Sequence, residues 1–317
     1  MRITDHFKHA AGQTLVSFEV LPPLKGGSMQ DIFDTLDPLM EFKPPFIDVT
    51  YHREEFVYNK RASGYYEKTA IRKRPGTVGI CASIMHRYGV DSIPHLICGG
   101  FSKEETENAL IDLQFLGIDN VLALRGDARK FEDKFVPEED GHKYAVDLVK
   151  QIHDMNQGIY LDSSIEKGAK TDFCVGVAGY PEKHFESPNF QQDIQYLKDK
   201  IDAGASYIVT QMFFDNETFF NFKKACEDAG ITVPIVPGIK PLTKKYQLNS
   251  IPRKFFVNFP ETLVKEILKA DDKDVAKIGM EWCTQQSREL KASGVPCIHY
   301  YTMGDSKIIQ KIVENTL

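Results

Sequence analysis

Glu19 sits inside an apolar run, Val16-Ser17-Phe18-Glu19-Val20-Leu21, and Pro22-Pro23 follow it. A carboxylate in such company is costly to bury unless it is paired or protonated, so it is a candidate for handling protons. Comparable residues close the other apolar runs of the chain. Thr50, Tyr51 and His52 end the second run, His95 lies in the third, and Arg125-Gly126-Asp127 ends the fourth. Tyr180, Glu182 and His184 follow the fifth, and Gln211 and Asp215 end the sixth. Gly238 and Lys240 end the seventh, and Thr302 and Asp305 the eighth. Carboxylates, imidazoles and a guanidinium gathered in this way argue for an enzyme with acid–base chemistry.

The runs themselves are residues 15–20, 46–50, 93–98, 120–124, 174–178, 207–211, 233–236 and 296–301. Helical patterns lie between them, as expected of a parallel sheet with crossover helices. Ser102-x-x-Glu105 reads as a capping box, and Gly117 follows the last apolar turn of that segment. Ser187-Pro188 reads as an N-cap with a proline after it. Phe190, Ile194, Leu197 and Ile201 share one helical face, which Gly204 ends. Asp215 can cap a helix over 216–229, with Gly230 as its stop. A last amphipathic stretch covers 308–313. No G-x-G-x-x-G follows the first strand, which counts against a dinucleotide-binding open sheet. The expected fold is α/β, a single (β/α)8 TIM barrel, with residues 1–317 as one catalytic domain. Strand C-termini then face the active site. The charged connections 51–75 and 126–144 become loops on that face, without regular structure of their own.

The net charge is −6, with acids and bases interspersed. A nucleic acid or an anionic membrane asks for a basic face, so neither is expected as a partner. Residues 1–13 are polar and show no apolar signal segment. The longest apolar stretches, such as 78–85, fall far short of the ~20 residues of a membrane helix. The expected location is cytoplasmic. Cys81, Cys98, Cys174, Cys226, Cys283 and Cys297 lack the close spacing of a zinc framework. They read as reduced, buried thiols, and no metal site is expected.

Each polar residue also has a plainer reading. Glu19 could be an ion-paired core residue, His95 a satisfied core histidine, and Arg125-Gly126-Asp127 a surface turn. Gln211 could cap or bridge loops. Phe213-Phe214 and Phe219-Phe220 read as core rather than as a cofactor platform. Lys200 reads as a solvated helix lysine. Only the joint pattern outweighs these alternatives.

That joint pattern resembles one family. Ser17-Phe18-Glu19-Val20-Leu21-Pro22-Pro23 is similar to the opening motif of methylenetetrahydrofolate reductases. Asp48-Val49-Thr50-Tyr51, Pro94-His95-Leu96-Ile97-Cys98 and Ala123-Leu124-Arg125-Gly126-Asp127 resemble the family's next blocks. Tyr180-Pro181-Glu182-x-His184, Lys200-Ile201-Asp202-Ala203-Gly204-Ala205 and Thr210-Gln211-x-Phe213-Phe214-Asp215 continue the series. Pro237-Gly238-Ile239 and His299-x-Tyr301-Thr302 complete it in the family's order.

The resemblance implies a barrel that binds FAD without a covalent link and uses NADH or NADPH as co-substrate. Hydride would pass to the flavin and then to 5,10-methylenetetrahydrofolate, giving 5-methyltetrahydrofolate for methionine synthesis. The length resembles the short bacterial form. The partners implied are folate and a nicotinamide dinucleotide, and a homo-oligomer is expected. Glu19 matches the family's general acid, and hemmed by Phe18, Val20 and Leu21 its pKa is expected to be raised. Asp127 is the second catalytic carboxylate, set near flavin and pterin. Thr50, Tyr51, His95, Arg125, Gly126, Asp127, Tyr144, Ala145, Tyr180, His184, Asp193 and Lys200 match FAD-contacting positions. Glu19, Gln211, Gln247 and Ile251 match substrate-binding positions, Ile251 as an apolar lid residue.

Three positions depart from the family pattern. Met303-Gly304-Asp305 stands where the family often has Leu-Asn-Arg, so an arginine contact to folate is not carried over. Arg53 stands where a small residue is usual, and Asp199 replaces a base near the FAD phosphates. The segment 162–171 is an insertion with no assigned role. The rival reading is another FAD-dependent barrel oxidoreductase, similar to proline dehydrogenase.

Overall fold

The computed structural model describes residues 1–129 and 132–317. Its main sheet is built from β1 (Leu15–Val20), β2 (Phe46–Val49), β5 (Asp91–Ile97), β6 (Asn120–Leu124), β7 (Cys174–Gly179), β8 (Tyr207–Thr210), β9 (Ile235–Val236), β10 (Gly238–Ile239) and β11 (Cys297–Tyr301). The order is β10-β11-β1-β2-β5-β6-β7-β8-β9, with every pair parallel. The two ends of this order are one chain segment. β9 pairs with β8 and β10 with β11. Pro237, between them, has no N–H for a ladder, while its carbonyl accepts from the His299 N–H at 2.9 Å. The expected seventh strand is therefore split in two, and the sheet curls into an almost closed barrel.

Successive strand residues point to opposite faces. Val16, Phe18, Val121, Val175 and Ile208 join a large apolar cluster with the surrounding helices. Phe46, Ile93, Leu122, Cys174, Tyr207, Val209, Val236 and Cys297 form a second cluster inside the barrel. The helix α1 (Ile3–His9) plugs its lower end, with Ile3 and Phe7 on that inner cluster. The remaining helices are α2 (Met29–Leu36), α3 (Thr77–Tyr88), α4 (Lys103–Phe115), α5 (Ala145–Asn156), α6 (Phe190–Asp202), α7 (Asn216–Asp228), α8 (Gln247–Phe255), α9 (Glu261–Lys269), α10 (Val275–Ala292) and α11 (Ser306–Glu314). None is long and apolar enough to cross a membrane.

The caps on α4 and α7 are the expected ones: Ser102 accepts from the Glu105 N–H, and Asp215 from the Glu217 N–H. The cap on α6 is not. Asn189, rather than Ser187, accepts from the Gln192 N–H at 2.8 Å. The Ser187 hydroxyl instead donates to Asp193 at 2.6 Å.

The segment 51–75 also departs from expectation. It folds into an antiparallel hairpin of β3 (Glu55–Lys60) and β4 (Tyr66–Ile71). Phe56 explains part of its order: the Lys68 ammonium lies 3.6 Å and the Arg129 guanidinium 4.4 Å from its ring centroid. Such cation–π contacts stabilise even partly exposed rings. The second long connection, 126–144, has no helix or strand among its described residues. All six cysteines are buried free thiols.

Candidate active site

Glu19 is next to last in β1, in register with Asp48 of β2 and Tyr301 of β11. Paired residues of neighbouring parallel strands point to the same face, here the barrel interior. Two histidines complete the group. His95 Nε2 lies 3.6 Å from Glu19 Oε2 and 3.6 Å from Asp48 Oδ1. His299 Nε2 lies 3.9 Å from Glu19 Oε2, and its Nδ1 lies 3.8 Å from Asp48 Oδ2. The Glu19 side chain keeps 15% of its surface exposed, while Asp48 and the two imidazoles keep 4% or less. The acid thus stands at the top of a sealed ionisable cluster.

This arrangement corrects one expectation. Burial does push the Glu19 carboxyl up, but His299 and His95 more than offset it, and the pKa falls below the ordinary carboxylate value. His299 shifts the other way: burial lowers it, but Asp48 and Glu19 together raise it. The neighbours Phe18 and Val20 did not reveal this because both turn outward, away from the acid. The two shifts are opposite in sign, as expected of a carboxylate and an imidazole that each favour the charged form of the other. His95 is no satisfied core histidine either, since its buried Nε2 has no hydrogen-bond partner.

A second group gathers at the C-terminal ends of β6 and β7. Tyr180 and His184 meet edge to face at 4.7 Å. The His184 main-chain N–H donates to Asp193 Oδ2 at 3.1 Å. Burial and then Arg125 lower the His184 pKa. Burial, then Asp127 and Asp193, raise that of the Tyr180 phenol. Arg125 pairs with Glu186 and lies 5.1 Å from the Phe135 ring centroid. Gly126 has φ +84°, and a Cβ there would sit 3.3 Å from Ile97. Asp127 is exposed. Lys200 is not the solvated lysine of the plainer reading. Its Nζ donates to the Ala178 carbonyl at 2.6 Å, and burial lowers its pKa to about 8. The first residue of α5 is Ala145, with Tyr144 as its exposed N-cap.

The remaining sequence-derived positions are more dispersed. Thr50 donates its hydroxyl to the Val20 carbonyl at 3.3 Å, and Tyr51 packs 5.2 Å from Phe101. Gln211 uses its side-chain oxygen to accept from the Met212 N–H at 2.9 Å. The Gln247 oxygen accepts from the Thr243 and Lys244 N–H groups, so it braces the turn into α8. Ile251 is buried with Met212, Phe214, Leu242 and Val257. Phe213 and Phe219 are core, stacked at 5.3 Å.

The family profile described as methylenetetrahydrofolate reductase matches residues 2–316. The chain belongs to the methylenetetrahydrofolate reductase family. It is 32% identical to 5,10-methylenetetrahydrofolate reductase of Pectobacterium carotovorum, over 94% of this chain and 88% of that protein. It is 32% identical to methylenetetrahydrofolate reductase (NADH) 1 of Arabidopsis thaliana, over 99% of this chain and 50% of the plant protein. A similar match, 34% identical, covers 99% of this chain and 48% of methylenetetrahydrofolate reductase 1 of Schizosaccharomyces pombe. The chain thus spans about half the length of these eukaryotic relatives. Among solved structures, an uncharacterized Clostridium thermocellum protein that binds two copies of 5-methyl-5,6,7,8-tetrahydrofolic acid aligns with a TM-score of 0.56. It is 13% identical and covers 96% of this chain and 94% of its own, so it speaks for the fold alone. Membership of the reductase family sets aside the proline-dehydrogenase-like rival.

The family implies FAD and NAD(P)H. The residues present suit a flavin dinucleotide. Lys200 is a half-buried cation whose hydrogen-bond partner is a main-chain carbonyl, and Arg125 lies near the Tyr180 and His184 rings. Together they can meet a pyrophosphate. The N-terminal turn of α5 follows the loop after β6, and there the Tyr144 N–H donates to Asp147 Oδ2 at 3.2 Å. The departures also have local explanations. Asp305 caps α11 by accepting from the Ile308 N–H. Asp199 is exposed and accepts from the Gln195 side-chain amide at 2.8 Å. Arg53 donates to Glu132 at 3.1 Å, between the hairpin and the loop after β6.

Asp48 and His299 were quoted in sequence motifs but given no role. The signal was there. Asp48 is two residues before Thr50, and His299 two before Tyr301, so strand alternation puts each pair on one face.

Proposed function

We propose that this chain reduces 5,10-methylenetetrahydrofolate to 5-methyltetrahydrofolate with NADH or NADPH as hydride donor. Residues 1–317 act as one catalytic unit in this reading. The observation that carries it is Glu19, a carboxyl at the mouth of a barrel of this family, with two imidazoles within 4 Å.

FAD, when bound, supplies a hydride carrier between nicotinamide and folate. Arg125, Lys200 and the α5 N-terminus at Tyr144 and Ala145 hold its phosphates. Thr50, Tyr51, His95, Gly126, Tyr180, His184 and Asp193 line the rest of its site. Gln211, Gln247 and Ile251 face the folate. Gln211 carries both a donor and an acceptor for a pterin or a carboxamide.

The methylene bridge of the substrate joins two nitrogens of a five-membered ring. Hydride adds only after that ring opens, and opening needs a proton on the departing nitrogen. Glu19 delivers that proton. Asp127 offers negative charge to the iminium cation that results. Both substrates use the same face in turn, which gives ping-pong kinetics.

Anaerobic titration of the purified protein tests the reading. NADH bleaches the flavin absorbance, and methylenetetrahydrofolate restores it. A protein that bleaches but does not recover with folate has another acceptor. A colourless protein that binds no FAD refutes the proposal outright.

A further inference from the structure

The proposed reaction asks Glu19 to deliver a proton, yet His299 and His95, both within 4 Å, outweigh its burial and hold this carboxyl below the ordinary carboxylate range. The proton must be held elsewhere within reach. Beside Glu19, in register on the neighbouring strand β2, Asp48 is wholly buried, and neither of its oxygens has a hydrogen-bond partner. An isolated carboxylate in such a place is strongly disfavoured unless a cation faces it. The cations that can do so are the two imidazoles. Among the described residues, Glu19 and Asp48 are the acids within 4.0 Å of a ring nitrogen of His95 or His299. His299 spans the two, with Nε2 toward Glu19 and Nδ1 toward Asp48 and the Ser17 hydroxyl, the latter at 2.8 Å.

We propose that Asp48 and His299 store the proton that Glu19 delivers, Asp48 serving as a positioning residue that keeps the imidazole charged. This rests on the folate-reductase reading above. At rest the proton sits on the imidazole, balanced by Asp48. When a ring system covers the mouth, Glu19 loses its remaining contact with water, and the charge on its carboxylate becomes harder to sustain. The proton then passes from His299 Nε2 to Glu19, and from Glu19 to the departing nitrogen of the folate. Imidazolium becomes imidazole, the carboxylate ends as it began, and the folate gains one proton. After product release, a solvent proton enters through Glu19, the exposed member of the cluster, and returns to His299.

Other titratable groups face this cluster without replacing Asp48. His52 and Tyr301 lie near Glu19, and Arg74 near His52. Cys81, Tyr207, Cys297 and Tyr301 lie near Asp48, and burial comes first among the causes that raise each of their pKa values. They stay neutral at physiological pH and so add no anion beyond the two carboxylates.

The test uses the purified flavoprotein. Imidazole NMR of His299, assigned by its loss in His299→Gln, gives the midpoint of its titration. Asp48→Asn should lower that midpoint by about one pH unit or more, a tenfold loss of proton affinity. The alkaline limb of flavin reoxidation by methylenetetrahydrofolate should move down with it. Flavin reduction by NADH should keep its pH profile. A merely structural role would slow reoxidation at every pH and leave both midpoints in place, and that result overturns the proposal. If Asp48→Asn does not fold, His299→Gln decides: its alkaline limb should fall by a similar amount, and an unmoved limb overturns the proposal. The NMR midpoint is read without folate turnover. Failure of the reductase reading, with a shifted midpoint but no folate reduction, is therefore distinguishable from failure of this one.

Discussion

The Lys200 ammonium donates to the carbonyl oxygen of Ala178 at 2.6 Å, pinning a helix α6 side chain across the end of strand β7. Burial lowers its pKa from 10.5 to about 8. Burial thus makes the charge costlier to hold than on a free lysine, although Asp193 offsets part of that cost, and a pyrophosphate would offset more of it. Lys200→Met should weaken FAD binding by roughly 10–100-fold, the range of one lost charge-assisted contact. The pH dependence has a definite sign. The free protein loses this proton near pH 8, and the bound form holds it to higher pH. Affinity for FAD should fall as pH rises above that point, and the fall should be absent in Lys200→Met. Fluorescence titration of FAD at several pH values measures both; parallel profiles in the two proteins would contradict the assignment.

Glu19→Gln keeps the shape of the side chain and removes the proton it can carry. Folate reduction should slow by roughly 10²–10⁴-fold, the usual contribution of a general acid. Flavin reduction by NADH should change little, because hydride transfer from nicotinamide needs no proton on a leaving group. Stopped-flow absorbance separates the two half-reactions. Equal loss in both would mean that Glu19 shapes the site rather than supplying acid.

Much of this was legible in the chain, for a reason that also marks the limit. Strands buried on both faces read as apolar runs, so Glu19, Arg125 and Gln211 stood out at the ends of such runs. The hairpin of β3 and β4 stayed hidden because Tyr58 and Tyr66 are exposed and its strands bury no apolar face. The split at Pro237 was hidden too, since closure depends on β8 and β11 meeting the same segment from opposite sides. The direction of the Glu19 pKa shift is not legible in the sequence for a comparable reason. Its sequence neighbours are apolar, but the groups that set its charge come from β5 and β11, far away in the chain.

Asp127 follows Gly126 at the end of β6 and lies near the Tyr180 phenol. In the proposed site its negative charge opposes the extra negative charge of a reduced flavin. Asp127→Asn should therefore raise the flavin midpoint potential. Because Asp127 is exposed, the effect should be modest, on the order of 20–40 mV for a two-electron couple. Spectroelectrochemical titration reads it directly. An unchanged potential would leave Asp127 with a role toward the folate cation only.

Gly279 tests how the substrate-side loop is supported. It lies in α10, where a Cβ would overlap the main-chain carbonyl oxygen of Leu242 and sit 3.1 Å from the Leu242 nitrogen. Leu242 belongs to the cluster that buries Ile251, and the next residue, Thr243, donates its N–H to Gln247. Gly279→Ala gains about 1 kcal/mol of helix propensity, but the backbone it meets cannot rotate away as a side chain could. Overpacking should dominate, with a net loss of about 1–3 kcal/mol. Gly79 in α3 is the control, since a Cβ there meets nothing within 4 Å. Gly79→Ala should stabilise by roughly 0.5–1 kcal/mol. Thermal unfolding of the two variants should thus give shifts of opposite sign, and the Gly279 variant should also weaken folate binding more than NADH binding. Two stabilising substitutions would show that α10 does not press on this loop.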